Sequence, residues 1–172
     1  MSLNVVLYNP EIPQNTGNIM RTCAGTGAIL HLIEPLGFKL DEKLLKRSGV
    51  NYLEHVRCHT YGNWRDFVEK NPGRYFFLTR YGHRSPDEFD FKAVEGPIYL
   101  VFGKESKGVP KEILREHIDD CFRLPMTDKI RSLNLSNTVC AALYEVLRQL
   151  GYPGLFREEP QTLKGPDWLE RE

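Results

Sequence analysis

No apolar run in this 172-residue chain approaches the ~18 residues a membrane span requires. The opening "MSLNVVLYN" has neither the charged start nor the cleavage site of a secretory leader, and it enters a strand-like run at once. Cysteine is sparse: Cys23, Cys58, Cys121 and Cys140 are scattered, with no C-x-x-C pair. That argues for reduced thiols in a cytoplasmic protein rather than a disulfide scaffold. Net charge is also lacking, with 23 Lys+Arg against 23 Asp+Glu. The balance is uneven, however. Residues 39–84 carry ten Lys/Arg and five Asp/Glu, a local +5, and the last twenty residues carry five acids and three bases. A polyanionic partner is therefore compatible with a neutral total.

Two nucleotide motifs are missing as well. Gly103 and Gly108 have P-loop spacing, but Val109-Pro110 stands where Lys-Ser/Thr is needed. "CAGTGAIL" contains G-x-G without the third glycine of a dinucleotide site. His55, Cys58 and His59 lie close together, but no fourth ligand or zinc-type spacing accompanies them, so no metal is expected.

What is present is an alternation. Leu3–Tyr8, Ile29–Ile33, Tyr75–Thr79 and Ile98–Phe102 read as strands, with Arg57–Tyr61 and Cys121–Leu124 as weaker ones. Helical patterns fall at Gly17–Ala24, Asp41–Ser48, Trp64–Glu69, Pro110–His117 and after Ser136. This order predicts an α/β fold with a mainly parallel sheet and helices on both faces. Residues 1–152 form one domain in this reading, and the Pro-rich 153–172 form a tail. Ligands of such sheets sit beyond the carboxyl ends of the strands.

Three loops there are unusual. In "NPEIPQNTGNIMR" (9–21), Asn15, Thr16 or Asn18 is a candidate helix cap. Arg21 then sits about one turn in, opposed to the helix dipole. It is either a surface arginine or one placed for a phosphate or alkoxide. In "LVFGKESKGVP" (100–110), Gly103 permits close ligand approach. Glu105 is either a solvated turn acid or a partner that orients a neighbouring Arg. In "FRLPMTDKIRSLNLSN" (122–137), many backbone donors and acceptors precede a helix capped by Asn134 or Ser136.

Together these segments resemble the SPOUT class of RNA methyltransferases. The matching motifs are N-x-G-x-x-x-R at Asn15–Arg21, G-x-E-x-x-G at Gly103–Gly108, and Pro-Met followed by Ser-Leu-Asn-Leu-Ser-Asn ending at Asn137. The short chain looks most like the minimal branch, which "LYNPEIPQNTGNIMRTCAGTG" and "RQLGYPG" resemble closely. One departure is "TDKI" at 127–130, where related enzymes often carry glycine.

The resemblance implies an α/β fold with a C-terminal trefoil knot, a homodimer, and S-adenosylmethionine as cofactor. It implies methylation of the ribose 2'-hydroxyl of the tRNA wobble nucleotide, cytidine or uridine 34. Another tRNA position, ribosomal RNA, a non-catalytic RNA-binding knot and a small-molecule binding module are the alternatives. Carried over by position, Arg21 is the central catalytic residue, and Asn15, Glu105, Ser136 and Asn137 position it or the ribose. Leu78, Thr79, Gly103, Leu124, Met126, Ser132 and Leu133 bind the cofactor. Lys43, Lys46, Arg47, Arg80 and Arg84 are the expected RNA-binding cations. Tyr144 is either an RNA or interface contact or simple core packing.

Overall fold

In the computed structural model, residues 2–40 and 52–171 are described. The alternating pattern builds one six-stranded sheet in which every pairing is parallel. The strands are β1 (Leu3–Tyr8), β2 (Ile29–Ile33), β3 (Cys58–Tyr61), β4 (Arg74–Leu78), β5 (Ile98–Phe102) and β6 (Cys121–Phe122). Their order is β3-β2-β1-β5-β4-β6, so the chain reverses its direction of travel across the sheet between β1 and β5. The helices are α1 (Pro13–Thr26), α2 (Trp64–Lys70), α3 (Lys111–Glu116) and α4 (Leu135–Leu150). The expected helix at Asp41–Ser48 lies outside the described residues.

Period-2 alternation sends each strand's side chains to two cores. Val5, Leu7, Leu30, Leu32, Phe76, Leu100 and Phe102 face one side, where α1 packs with Ile19, Met20 and Cys23 and α4 with Val139, Leu143 and Leu147. Val6, Ile33, Phe77, Tyr99 and Val101 face the other, under Phe67 of α2 and with Ile113 and Leu114 of α3. Helices thus cover both faces, as expected of a buried parallel sheet.

The second core contains a polar residue. His31 is 3% exposed, with Nδ1 2.9 Å from the Tyr61 hydroxyl and Nε2 3.1 Å from Asn4 Oδ1. Asn4 donates its amide to Ile98 O, which leaves Oδ1 as the acceptor and places the His31 proton on Nε2. Burial, with His59 nearby, lowers the His31 pKa to about 4. The folded value lies below the unfolded one of ~6.5, so the unfolded chain binds the extra proton between these values. This contribution is complete above pH ~6.5 and is lost as pH falls towards 4, by up to about 3 kcal/mol. Urea denaturation at pH 7.5 and pH 5 should show a steeper loss in the wild type than in His31→Gln. Equal losses would refute it.

Candidate active site

α1 begins earlier than its polar residues suggest. Pro13 occupies the first turn, Ile12 stands at the cap position without a side-chain bond, and Asn15 is inside the helix. The missing cap comes from another loop. Glu105, just beyond β5, accepts from Glu11 N at 2.8 Å, Ile12 N at 3.2 Å and Asn15 Nδ2 at 3.0 Å. A carboxylate at a helix N-terminus satisfies free amides and complements the dipole. Glu11 returns the exchange by accepting from Ser106 N at 2.9 Å and Ser106 Oγ at 2.8 Å. These two bonds hold the Glu11 carboxyl below its ordinary range. Glu105 is therefore no solvated turn acid, and its partners are amides rather than an arginine.

The network continues into the third loop. Asn134 donates to Asn15 Oδ1 at 3.0 Å, while its own Oδ1 accepts from Ser136 N, Ser136 Oγ and Asn137 N. Asn134 is thus both the cap of α4 and the link from α4 to α1. Its place in "SLNLSN" marks it as a cap, but only the fold reveals its bond to a residue 119 positions away. Ser136 is buried as part of that cap, and Asn137 is exposed. The network spans the carboxyl ends of β1 and β5, where the strand order reverses. That is the crevice in which open α/β sheets hold ligands.

Arg21 is placed differently. It lies in the third turn of α1, eight residues after Pro13, so its opposition to the helix dipole, a first-turn effect, disappears. It lies six positions after Asn15, which turns the two side chains about 120° apart. Asn15 is buried and Arg21 exposed. Arg21 has no hydrogen-bond or ion-pair partner among the described residues, and the chain does not bring it into the Glu105–Asn15–Asn134 network.

The expected cofactor residues form a crescent along neighbouring strand ends. Leu78 ends β4 and Thr79 follows it, Gly103 follows β5, and Leu124 and Met126 follow β6. Leu78, Leu124 and Met126 are partly exposed, unlike the fully buried strand interiors beneath them. Leu133 is 41% exposed and Ser132 is exposed in the same loop. Half-covered apolar side chains beside main-chain polar groups fit an adenosyl group. Gly103 is required by the turn as well: a Cβ there would lie 2.1 Å from Gly108 C and Val109 N, so the turn packs against its Cα and its main chain is the part left for a ligand.

Of the expected RNA-binding cations, Lys43, Lys46 and Arg47 lie outside the described residues. Arg80 is exposed. Arg84 is taken up internally: its guanidinium lies 3.8 Å from the Phe89 ring centroid and donates to Glu88 O and Asp119 O. Tyr144 is 46% exposed on the outer face of α4, which removes the core-packing alternative. The four cysteines are free, and burial pushes Cys23 up to about 12 and Cys58 to about 11. Among the described residues no three His, Cys, Asp or Glu side chains gather as a metal site, and no helix is long and apolar enough to cross a membrane.

Known proteins resemble this chain along most of its length. The tRNA (cytidine(34)-2'-O)-methyltransferase of Saccharophagus degradans is 49% identical over 154 residues, covering 88% of this chain and 97% of that protein. A solved structure concerned with 2-OH methylation of C/U34 on tRNA superposes with a TM-score of 0.80 at 42% identity, covering 87% of this chain and 97% of the other. A SpoU methyltransferase of Streptomyces viridochromogenes, solved in complex with the cofactor AdoMet, superposes with a TM-score of 0.72 at 28% identity, covering 87% of this chain and 58% of the other. The sequence model of the SpoU rRNA Methylase family matches residues 2–144, and the chain belongs to that family.

Proposed function

We propose that this protein transfers a methyl group from S-adenosylmethionine to the ribose 2'-hydroxyl of nucleotide 34, cytidine or uridine, in tRNA. One observation carries the reading: Glu105, Asn15 and Asn134 clasp the loops after β1, β5 and β6 at the switch point of the sheet, in a chain 49% identical to a relative of that activity. The family's description concerns ribosomal RNA, but relatives matched over nearly their whole length act on tRNA, which favours tRNA.

S-adenosylmethionine supplies a methyl group already activated on sulfonium, with a neutral leaving group. Leu78, Thr79, Gly103, Leu124, Met126, Ser132 and Leu133 hold it. Glu105 and Asn15 fix the start of α1, and Asn134, accepting from Ser136 and Asn137, fixes the start of α4, so that both helix ends are set before substrate arrives. Pre-set geometry of this kind is worth roughly 7–11 kcal/mol when reacting atoms are aligned. Arg21 stabilises the alkoxide as it forms, or holds the adjacent phosphate. A guanidinium with a pKa above about 12 is a poor base, so water or that phosphate takes the proton.

The knot and the homodimer belong to the same proposal. Phe122 O accepts from Thr79 N on one side of β6, and Arg123 N donates to Arg84 O on the other, so residues 121–123 run between two arms of one loop. The dimer is supported by Arg21, which is exposed, has no partner among the described residues and lies outside the Glu105–Asn15–Asn134 network of its own chain, so a second copy is the source of its missing surroundings. Residues 1–152 carry the domain and 153–172 the tail, in a cytoplasmic enzyme that needs no metal. Arg80 and Tyr144 face RNA, Lys43, Lys46 and Arg47 add positive charge for it, and the internal bonds of Arg84 reduce its share.

Incubation with labelled S-adenosylmethionine and total tRNA, followed by nucleoside mapping, should place label on the ribose of nucleotide 34. Label on a base, or in ribosomal RNA only, would overturn the assignment.

A further inference from the structure

A groove of about 650 Å³, within the roughly 300–1,000 Å³ range of ligand sites, adjoins the cofactor crescent and shares Met126 with it. Arg80, Arg123, Lys129 and Arg131 line it, and Asp128 is its single acid. Four cations and one anion leave +3. Lys129 lies 3.4 Å from Asp128, with both side chains more than four-fifths exposed, so this pair neutralises little. No carboxylate engages the three arginines among the described residues. Tyr81 stands in the same wall, 72% exposed, with the Arg80 guanidinium 5.2 Å from its ring centroid.

The fold assembles this group deliberately from distant segments. Gly82 N donates to Thr79 O, closing a turn with Arg80 and Tyr81 at its tip. A Cβ at Gly82 would lie 2.4 Å from Phe122 C, so the turn rests directly on β6, from which Arg123 emerges. Unpartnered cations repel one another and await an anion. The sulfonium and ammonium of S-adenosylmethionine fit such a field badly. An exposed aromatic ring beside a guanidinium plane is a stacking platform for an unpaired base.

Resting on the RNA reading above, we propose that this groove is a subsite for the single-stranded nucleotide flanking the methylated one. Tyr81 stacks its base, and Arg80, Arg123 and Arg131 hold its phosphates. Tyr81→Ala should raise KM for tRNA about tenfold, more than it lowers kcat, and Tyr81→Phe should restore it. Replacing Arg123 and Arg131 together with alanine should flatten the salt dependence of tRNA binding by about 1.4 in log–log slope. Calorimetry with S-adenosylmethionine should give wild-type affinity in every variant, which also certifies the fold. Unchanged tRNA KM and salt slope would overturn the proposal. So would weakened cofactor affinity with normal tRNA KM, which would make the groove part of the cofactor site. If the wild type labels another RNA, the nucleotide-34 reading falls alone, and the same slopes on that RNA decide the groove.

Discussion

Arg21→Ala is expected to lower ribose methylation at least about 10²–10³-fold while S-adenosylmethionine binds normally. The magnitude is that of removing one preorganised donor from a developing oxyanion. The side chain is exposed and has no partner among the described residues, so its removal leaves no cavity and no orphaned charge. The melting temperature should stay within a degree or two. Arg21→Lys keeps the charge but loses the planar fork, and should recover only part of the rate. Single-turnover assays with labelled cofactor, alongside calorimetry, separate the chemical step from binding. Near-normal turnover in Arg21→Ala would remove Arg21 from the mechanism. Its outward direction adds a further expectation: mixing Arg21→Ala with a variant disabled in the cofactor crescent should restore activity if the two lesions complement across a dimer.

Gly103→Ala should be the most destabilising single methyl in the described structure. Its Cβ would sit 2.1 Å from the Gly108–Val109 peptide and 2.4 Å from Gly108 Cα, where real Cβ atoms stay beyond 3.0 Å. The obstacle is backbone, with no flexible side chain to move aside. The turn is also pinned by Gly108 N donating to Lys104 O at 2.8 Å. Relieving the clash displaces residues 104–109, and with them Glu105 and its three bonds to the start of α1. Overpacking costs typically 1–3 kcal/mol. With the loss of the Glu105 bonds added, we expect about 3 kcal/mol or more, or roughly 6–12 °C in Tm for a chain of this size. Cofactor affinity should fall with it. Gly25→Ala, which meets open space on α1, serves as the control and should cost nothing. Equal Tm values for the two variants would show that the turn yields freely.

The elements were legible because they are local. β1, β2 and β5 coincide with the apolar, β-branched runs that announce them, since a strand buried on both faces must be apolar throughout. The start of α1 was not legible. Its cap is a carboxylate 90 residues away, and the nearby Asn15, Thr16 and Asn18 are decoys: two are buried within the helix and one is exposed beyond its first turn. Glu105 suggested an arginine partner by charge alone, whereas packing delivered three amide donors. Asn134 passed as one cap among several, because nothing local marks which amide reaches another loop.

The residue pattern by itself determined an α/β domain, its parallel strands, and three polar loops at one end of the sheet, together with the family that their motifs resemble. Only the tertiary structure decided which side chains in those loops meet. It joined Glu105 to α1 and Asn15 to Asn134, closed the Gly103 turn on itself, tied Arg84 to Phe89, Glu88 and Asp119, and gathered Arg80, Tyr81 and Arg123 around β6. The physical reason is range. Hydrophobic periodicity acts over one or two turns of chain, whereas a hydrogen bond needs two groups within about 3 Å, and only a strand order that reverses between β1 and β5 brings residues 90 to 119 positions apart to that distance.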